Sequence, residues 1–219
     1  MKRLLRSVAK RLYYILMEPQ MRRRRASRQA MPYVDLGQAH TGECKVLPDR
    51  KLMLQLLPAH GEIMELGVAN GDFSQEILKG CRPRKLHLVD AWHTTAYRDD
   101  YALVVRRFEK ETAAGLVEIH RGLSTEVLAR FPDACLDFVY IDTNHSYETT
   151  AAELLMAERV VKSGGLIAGH DYCLGNIIKP AVFGVIQAVN EFCVIRGWRF
   201  KYITIESHGY FSFCLEKIP

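Results

Sequence analysis

Acids, imidazoles and glycines recur in this sequence where apolar runs stop. Ile63-Met64-Glu65-Leu66 turns through Gly67 and Gly71, and Lys85-Leu86-His87-Leu88-Val89 ends on Asp90. Leu136-Asp137-Phe138-Val139-Tyr140-Ile141 ends on Asp142, with His145 shortly after it, and Leu166-Ile167-Ala168-Gly169 ends on His170-Asp171. Glycines suit backbone that bends tightly or lets a ligand approach closely. A helix opening just after Gly71 would turn free N–H groups and a positive dipole end toward an anion. An acid at the tip of the following strand, here Asp90, is placed to accept hydrogen bonds from ribose hydroxyls. Asp142 and Asp171 offer hard oxygen donors to a divalent cation, and a nearby imidazole such as His145 can take a proton. Plainer roles stand beside these: an ordinary strand-turn-helix junction, aspartates that cap turns, and a histidine that hydrogen-bonds locally.

For such groups to meet, the runs must be parallel strands whose carboxyl ends share one edge. The pattern predicts a first strand into Glu65, then a helix from Phe73 to Lys79 stopped by Gly80, and a second strand over Lys85–Asp90. Trp92 at that strand's end either flanks an adenine or packs. A helix over Asp99–Ala114 follows, with Tyr101, Val104, Val105, Phe108 and Thr112 on one face. Leu116–His120 reads as the third strand. Ser124 then caps a helix from Thr125 to Arg130, or faces a ligand beyond the strand. The apolar run into Asp142 has the pattern of a fully buried fourth strand. An amphipathic helix, Glu148–Val161, is stopped by Ser163-Gly164-Gly165, and Leu166–Gly169 forms the fifth strand. A helix starting at Pro180 carries Val182, Val185, Ile186, Val189 and Phe192 in a stripe. A closing hairpin turns at Ser207-His208-Gly209. Ahead of all this, residues 31–58 are turn-rich, with one helix over Asp49–Leu57.

The chain of 219 residues suits one domain, and its 25% charged and 48% apolar content is that of a soluble globular protein. Six scattered cysteines form no C-x-x-C pair, and no secretory signal is visible, so reduced thiols and a cytoplasmic setting are expected. The net charge of +5 is unevenly held. Residues 1–30 carry ten Lys/Arg against one Glu, whereas the rest is acidic. Leu5, Val8, Leu12, Ile15 and Leu16 recur at helical spacing among these bases, Pro19 should end the helix, and Arg22–Arg25 follow as a block. A basic amphipathic helix with a polybasic run suits peripheral contact of residues 1–25 with an anionic membrane. Packing on the domain or on a second copy in a homo-oligomer, or a solvated tail, are the alternatives. Nucleic acid is not expected as a partner, because the body is acidic and no base-stacking motif accompanies the arm. The division is therefore an arm, 1–30, and a single domain, 31–219.

Glu65-x-Gly67-x-Ala69-x-Gly71 lacks the third glycine of a dinucleotide fingerprint. It resembles the first motif of class I S-adenosylmethionine-dependent methyltransferases. Ile141-Asp142-x-x-His145-Ser146-Tyr147-Glu148 and Gly164-Gly165-Leu166-Ile167-Ala168-Gly169-His170-Asp171-Tyr172 resemble one branch of that class, over about residues 60–195. That branch holds macrocin- and mycinamicin-type sugar O-methyltransferases and cephalosporin-hydroxylase-like proteins. The resemblance implies a Rossmann-like α/β fold: a seven-stranded, mostly parallel sheet with an antiparallel last strand and helices on both faces. It implies S-adenosylmethionine as cofactor, bound by Glu65, Gly67, Asn70, Gly71, Asp90 and Ser124. It also implies magnesium or another divalent cation on Asp142 and Asp171, and His145 as general base. Some relatives carry a carboxylate just before the second metal acid, where this chain has His170, which weakens a hard-cation site. The expected reaction is methyl transfer to a hydroxyl of a small molecule, a sugar or sugar-bearing one. A metal-independent enzyme acting on another oxygen or nitrogen stands as the alternative, as does a membrane-associated assembly protein with a vestigial cofactor fold.

Overall fold

The computed structural model describes residues 2–95, 97–176 and 181–219, with side chains from Leu12 onward. Helix α1 (Lys2–Gln29), α2 (Gln38–Thr41), β1 (Lys45–Leu47) and α3 (Arg50–Leu56) come first. Strands and helices then alternate: β2 (Glu62–Leu66), α4 (Asp72–Cys81), β3 (Lys85–Asp90), α5 (Asp100–Arg107), α6 (Glu109–Ala113) and β4 (Val117–Arg121). The series continues through α7 (Ser124–Leu128), β5 (Leu136–Ile141), α8 (Tyr147–Val160) and β6 (Val161–Gly169). A two-stranded ribbon, β7 (Gly175–Asn176) and β8 (Ala181–Val182), precedes α9 (Val185–Arg196), β9 (Trp198–Thr204) and β10 (Phe213–Lys217).

The main sheet has eight strands in the order β1-β9-β10-β6-β5-β2-β3-β4. β10 runs antiparallel between β6 and β9, and every other pairing is parallel. The expected seven strands are thus all present. The eighth is β1, which pairs Lys45–Leu47 with Tyr202–Thr204 at the sheet edge. Three residues give no periodicity to read, and only Leu47 among them is buried.

β2 lies at the centre, with β3 on one side and β5 on the other. The strand order therefore reverses between β2 and β5, which opens a crevice at their carboxyl ends. The inner strands are apolar on both faces. Met64, Leu66, Val89, Val139 and Ile167 pack on one side with residues of α7, α8 and α9. Ile63, Leu86, Leu88, Phe138 and Tyr140 pack on the other with α3, α4 and Val104 of α5. Burial on both faces is what a parallel sheet covered by crossover helices requires.

Several boundaries differ from expectation for identifiable reasons. α4 runs past Gly80 to Cys81, and a Cβ at Gly80 would meet the Leu54 Cβ at 3.0 Å, so this glycine serves close packing against α3. The helix ends instead at Arg82, in left-handed backbone with φ 45°. The Asp99–Ala114 pattern breaks at Phe108, whose buried ring sits beneath Gly71. Ser163-Gly164-Gly165 lies within β6 and does not stop α8, which already ends at the extended Val161. α1 continues through Pro19 to Gln29. Proline removes one N–H bond, and the run of Arg, Met, Gln and Ala after it favours helix strongly enough to carry on. Pro180 lies outside the described residues; Val182 is in β8, and the helix opens at Val185.

Candidate active site

The carboxyl ends of four adjacent strands are laced together by backbone hydrogen bonds. Gly67 donates to Val89, Asp142 to Leu66 and His170 to Ile141, at 2.8, 2.8 and 3.0 Å. These bonds set β3, β2, β5 and β6 in step, so the groups that follow each strand share one edge.

The loop after β2 is shaped by contact as much as by flexibility. Gly67 has φ +89°, and a Cβ there would fall 1.9 Å from the Asp142 carbonyl oxygen, so no other residue fits. Gly71, at φ +81°, caps the start of α4. Asp90 sits at the end of β3, and its carboxylate accepts from the N–H groups of Val68, Ala69 and Trp92 at 3.0, 2.9 and 2.9 Å. It thereby fixes the loop while remaining half-buried beside it. Trp92 is buried against Tyr101, and its indole N–H donates to the Ala69 carbonyl, so it packs and anchors the loop. Asn70 bonds Asp72 through both ends of its amide, and Asp72 in turn pairs with Arg107. Glu65 is fully buried beneath the loop and accepts from the Ser74 hydroxyl. Burial lifts its carboxyl to about 8, the Ser74 bond acting against that shift.

On the far side of the crevice the Asp142 loop is held by its own short bonds. Asn144 accepts from the Ser146 N–H, and Ser146 caps α8 through Thr149. His145 and Asp171 both adopt left-handed backbone, φ 63° and 57°. For non-glycine residues that costs of the order of 1–3 kcal/mol each and gathers at functional sites. The result is convergence. His145 Nε2 lies 2.7 Å from Asp171 Oδ2 and 3.5 Å from Asp142 Oδ1, and His170 Nδ1 lies 3.3 Å from Asp171 Oδ1. The approach of His145 to Asp171 is out of line for a hydrogen bond, so this buried nitrogen has no hydrogen-bonded partner among the described residues. The ring is held flat against Phe183 at 4.6 Å between centroids.

Burial governs the charges here. It lifts Asp142 to about 7, with help from the neighbouring Asp171 charge, and Asp171 itself to about 6. Burial also brings His145 down to about 4 and His170 to about 3, leaving both imidazoles neutral at neutral pH. Donor atoms of Asp142, His170 and Asp171 lie within 4.8 Å of one another. Two carboxyls at one spot with the His170 imidazole beside them form a donor set that fits a divalent cation, and His145 Nε2 stands next to them without a hydrogen bond.

Ser124 departs from its expected role as cap, because Leu123 occupies the cap position. Its hydroxyl instead donates to Glu153 at 2.5 Å, and Thr143 donates to the other oxygen of that carboxyl at 2.9 Å. Glu153 is completely buried and raised by burial to about 7. It was legible only as an acid inside an apolar helix stripe, next to Leu154. Arg50 was missed as well. It reaches to 3.7 Å from Asp142 and lies over the Phe73 ring at 4.2 Å. A base in the first turn of a helix opposes the helix dipole, and that mismatch was its signal.

Comparison with known proteins supplies the wider frame. The family described as "Methyltransferase domain" matches residues 64–172, the span from β2 to the end of the second acidic motif. An O-methyltransferase from Bacillus cereus, solved with SAH, superposes with a TM-score of 0.57 at 18% identity, covering 92% of this chain and 90% of that one. The O-methyltransferase TomG from Streptomyces achromogenes, involved in tomaymycin synthesis and solved with SAM, gives 0.56 at 20% identity and 77% of each chain. A SAM-dependent methyltransferase from Aquifex aeolicus gives 0.57 at 15% identity, covering 77% and 88%. No curated protein matches the sequence. The matched span holds the glycine loop, Asp90 and the Asp142, His145 and Asp171 cluster together, and the fold around it is that of methyltransferases. The chain is an S-adenosylmethionine-dependent methyltransferase of the class I fold.

Proposed function

We propose that the methyl acceptor is a hydroxyl of a small molecule, and that Asp142, His145 and Asp171 handle it. The observation that supports this is the convergence of His145 Nε2 and two carboxyls, 2.7 and 3.5 Å away, across the crevice from the glycine loop. S-adenosylmethionine supplies a methyl already made electrophilic by its sulfonium. The protein's task is therefore to align an oxygen and remove its proton. Glu65, Gly67, Asn70, Gly71, Asp90 and Ser124 would hold the cofactor. Asp90 is aimed at the ribose, and Glu65 acts from beneath by holding Ser74 in the first turn of α4.

His145 is neutral, so its nitrogen can accept the hydroxyl proton. The imidazolium so formed faces Asp171, whose carboxylate stabilises it in a buried setting. Asp142 and Asp171, with His170 beside them, would hold a divalent cation, which would lower the pKa of a coordinated hydroxyl. A metal-free version is the second reading, favoured by Arg50, whose guanidinium already brings positive charge to Asp142. The sugar class of acceptor rests on the resemblance of the Asp142 and Asp171 motifs to sugar O-methyltransferases. That two of the similar folds are O-methyltransferases agrees with an oxygen acceptor.

A screen of hydroxylated acceptors with labelled cofactor should yield a methyl ether whose formation falls when His145 is changed to Ala. Methylation of nitrogen, or a product formed equally well by that variant, would overturn this reading. Titrating magnesium, manganese and zinc into Asp142→Asn and Asp171→Asn decides the metal. Partial rescue of activity supports a cation there, and full wild-type activity in excess EDTA removes it from the mechanism.

A further inference from the structure

His87, Glu118 and His120 form a second cluster of metal-ligating side chains, well away from the crevice. His87 and Glu118 are direct partners across β3 and β4, and His120 lies two residues further along β4 on the same sheet face. His87 stands three residues before Asp90, about 10 Å along the strand. Asp142 and Asp171 follow β5 and β6, which lie on the other side of β2. The two clusters are therefore separate.

We propose that His87 Nδ1, His120 Nε2 and a Glu118 oxygen bind a divalent transition ion of the zinc type, which clasps the edge strand β4 to β3. His87 Nδ1 is 3.1 Å from His120 Nε2 and 3.9 Å from Glu118 Oε2, and His120 Nε2 is 3.7 Å from Glu118 Oε1. Ligands about 2.0–2.2 Å from a tetrahedral zinc stand roughly 3.3–3.6 Å apart, so little movement is needed. Half-exposed Glu118 leaves the fourth position to water. Lys85 pairs with Glu118 Oε2 at 2.6 Å, which leaves Oε1, the oxygen nearer His120, to the ion.

The surroundings already prepare the nitrogens. Glu62 Oε1 lies 3.2 Å from His87 Nε2, the arrangement in which a carboxylate takes the ring's far N–H and turns the other nitrogen's lone pair toward a metal. The Phe131 ring stands edge-on to both imidazoles, at 4.9 and 5.6 Å, and restricts their rotation. Burial holds both histidines below their ordinary range, so both are neutral at neutral pH, as ligands must be. With no ion present, His120 Nε2–H can donate to His87 Nδ1, and a shift of that proton to His120 Nδ1 frees the site. The ion's effect would be mechanical: β4 is paired on one edge only and leads through Gly122 and Leu123 to Ser124, the first residue of α7.

The test uses full-length protein stripped with EDTA and then dialysed against zinc chloride alone, with cobalt(II) as a spectroscopic substitute. Counted in the Asp142→Asn, Asp171→Asn background, which removes the ligands of the other proposed cation site, we expect one ion per chain with the visible bands of tetrahedral cobalt, and a thermal midpoint that rises with zinc. His120→Gln and the milder surface change Glu118→Gln should each weaken binding at least tenfold and abolish the thermal shift. Glu62→Gln should weaken it ten- to a hundredfold. The double variant Asp142→Asn, Asp171→Asn should keep this ion. Absence of binding, binding unchanged in His120→Gln and Glu118→Gln, or binding lost with the aspartate pair would each overturn the proposal.

Discussion

Asp90 holds three loop N–H groups with one carboxylate, and we propose that the same carboxylate accepts from the cofactor's ribose hydroxyls. Asp90→Ala should weaken S-adenosylmethionine binding by about 1.5–3 kcal/mol through lost charge-assisted hydrogen bonds. Unchanged affinity with the fold intact would show the ribose assignment to be wrong. His145→Ala should instead lower turnover by about two to four powers of ten while cofactor affinity stays nearly constant. The pH profile follows from the neighbours of His145. The imidazole is neutral from about pH 4 upward, whereas Asp171 and Asp142 ionise only near 6 and 7. Activity should therefore rise through pH 6–7 and then level, and a profile that is flat from pH 5 to 8 would contradict this charge assignment. At this scale the strand-end acids stood out in the sequence because each closes an apolar run, and His145 because it comes three residues after Asp142. Glu153 and Arg50 could not be assigned, because what they do depends on partners 29 and 10 residues away on one side and 92 on the other, in Ser124, Thr143 and Asp142.

The elements show where such reading succeeds and where it stops. β2, β3 and β5 were visible because both of their faces are buried, which leaves a continuous apolar run. β1 was invisible because three edge residues carry no pattern. Gly80 misled because a glycine that ends a helix and one that lets two helices touch look the same in sequence; the Leu54 contact tells them apart. α8 illustrates the energetic side. Its Glu153 joins α7, through Ser124, to the loop after β5, through Thr143. The folded carboxyl titrates near 7 against about 4.3 in an unfolded chain. The folded state thus binds its proton more tightly, so this contribution is complete below about pH 4 and is lost as pH rises through 7. Glu153→Gln should therefore flatten the fall in stability between pH 5 and 8, by up to a few kcal/mol. Equal pH dependence of wild type and variant in chemical denaturation would show that Glu153 is not the buried acid responsible.

Across the whole molecule, charge is divided between arm and body. α1 carries the basic block, and its Leu12, Ile15 and Leu16 are exposed, Leu16 by 76%. No helix of the described residues is long and apolar enough to cross a membrane. Contact with the surface of an anionic membrane is the proposal that suits such a helix. Removing residues 1–30 should abolish sedimentation with anionic vesicles and leave turnover of a soluble acceptor unchanged. If the full-length protein ignores those vesicles at low salt, contact with a second copy becomes the better account of α1. The catalytic claim itself is tested most directly without knowing the acceptor, by calorimetric titration of S-adenosylmethionine into the full-length protein and two variants. One site per chain is predicted, weakened at least tenfold in Asp90→Ala and little changed in His145→Ala. Heats that show no binding to the wild type, or affinities that Asp90→Ala leaves alone and His145→Ala destroys, would contradict the placement of cofactor and base on opposite sides of the crevice.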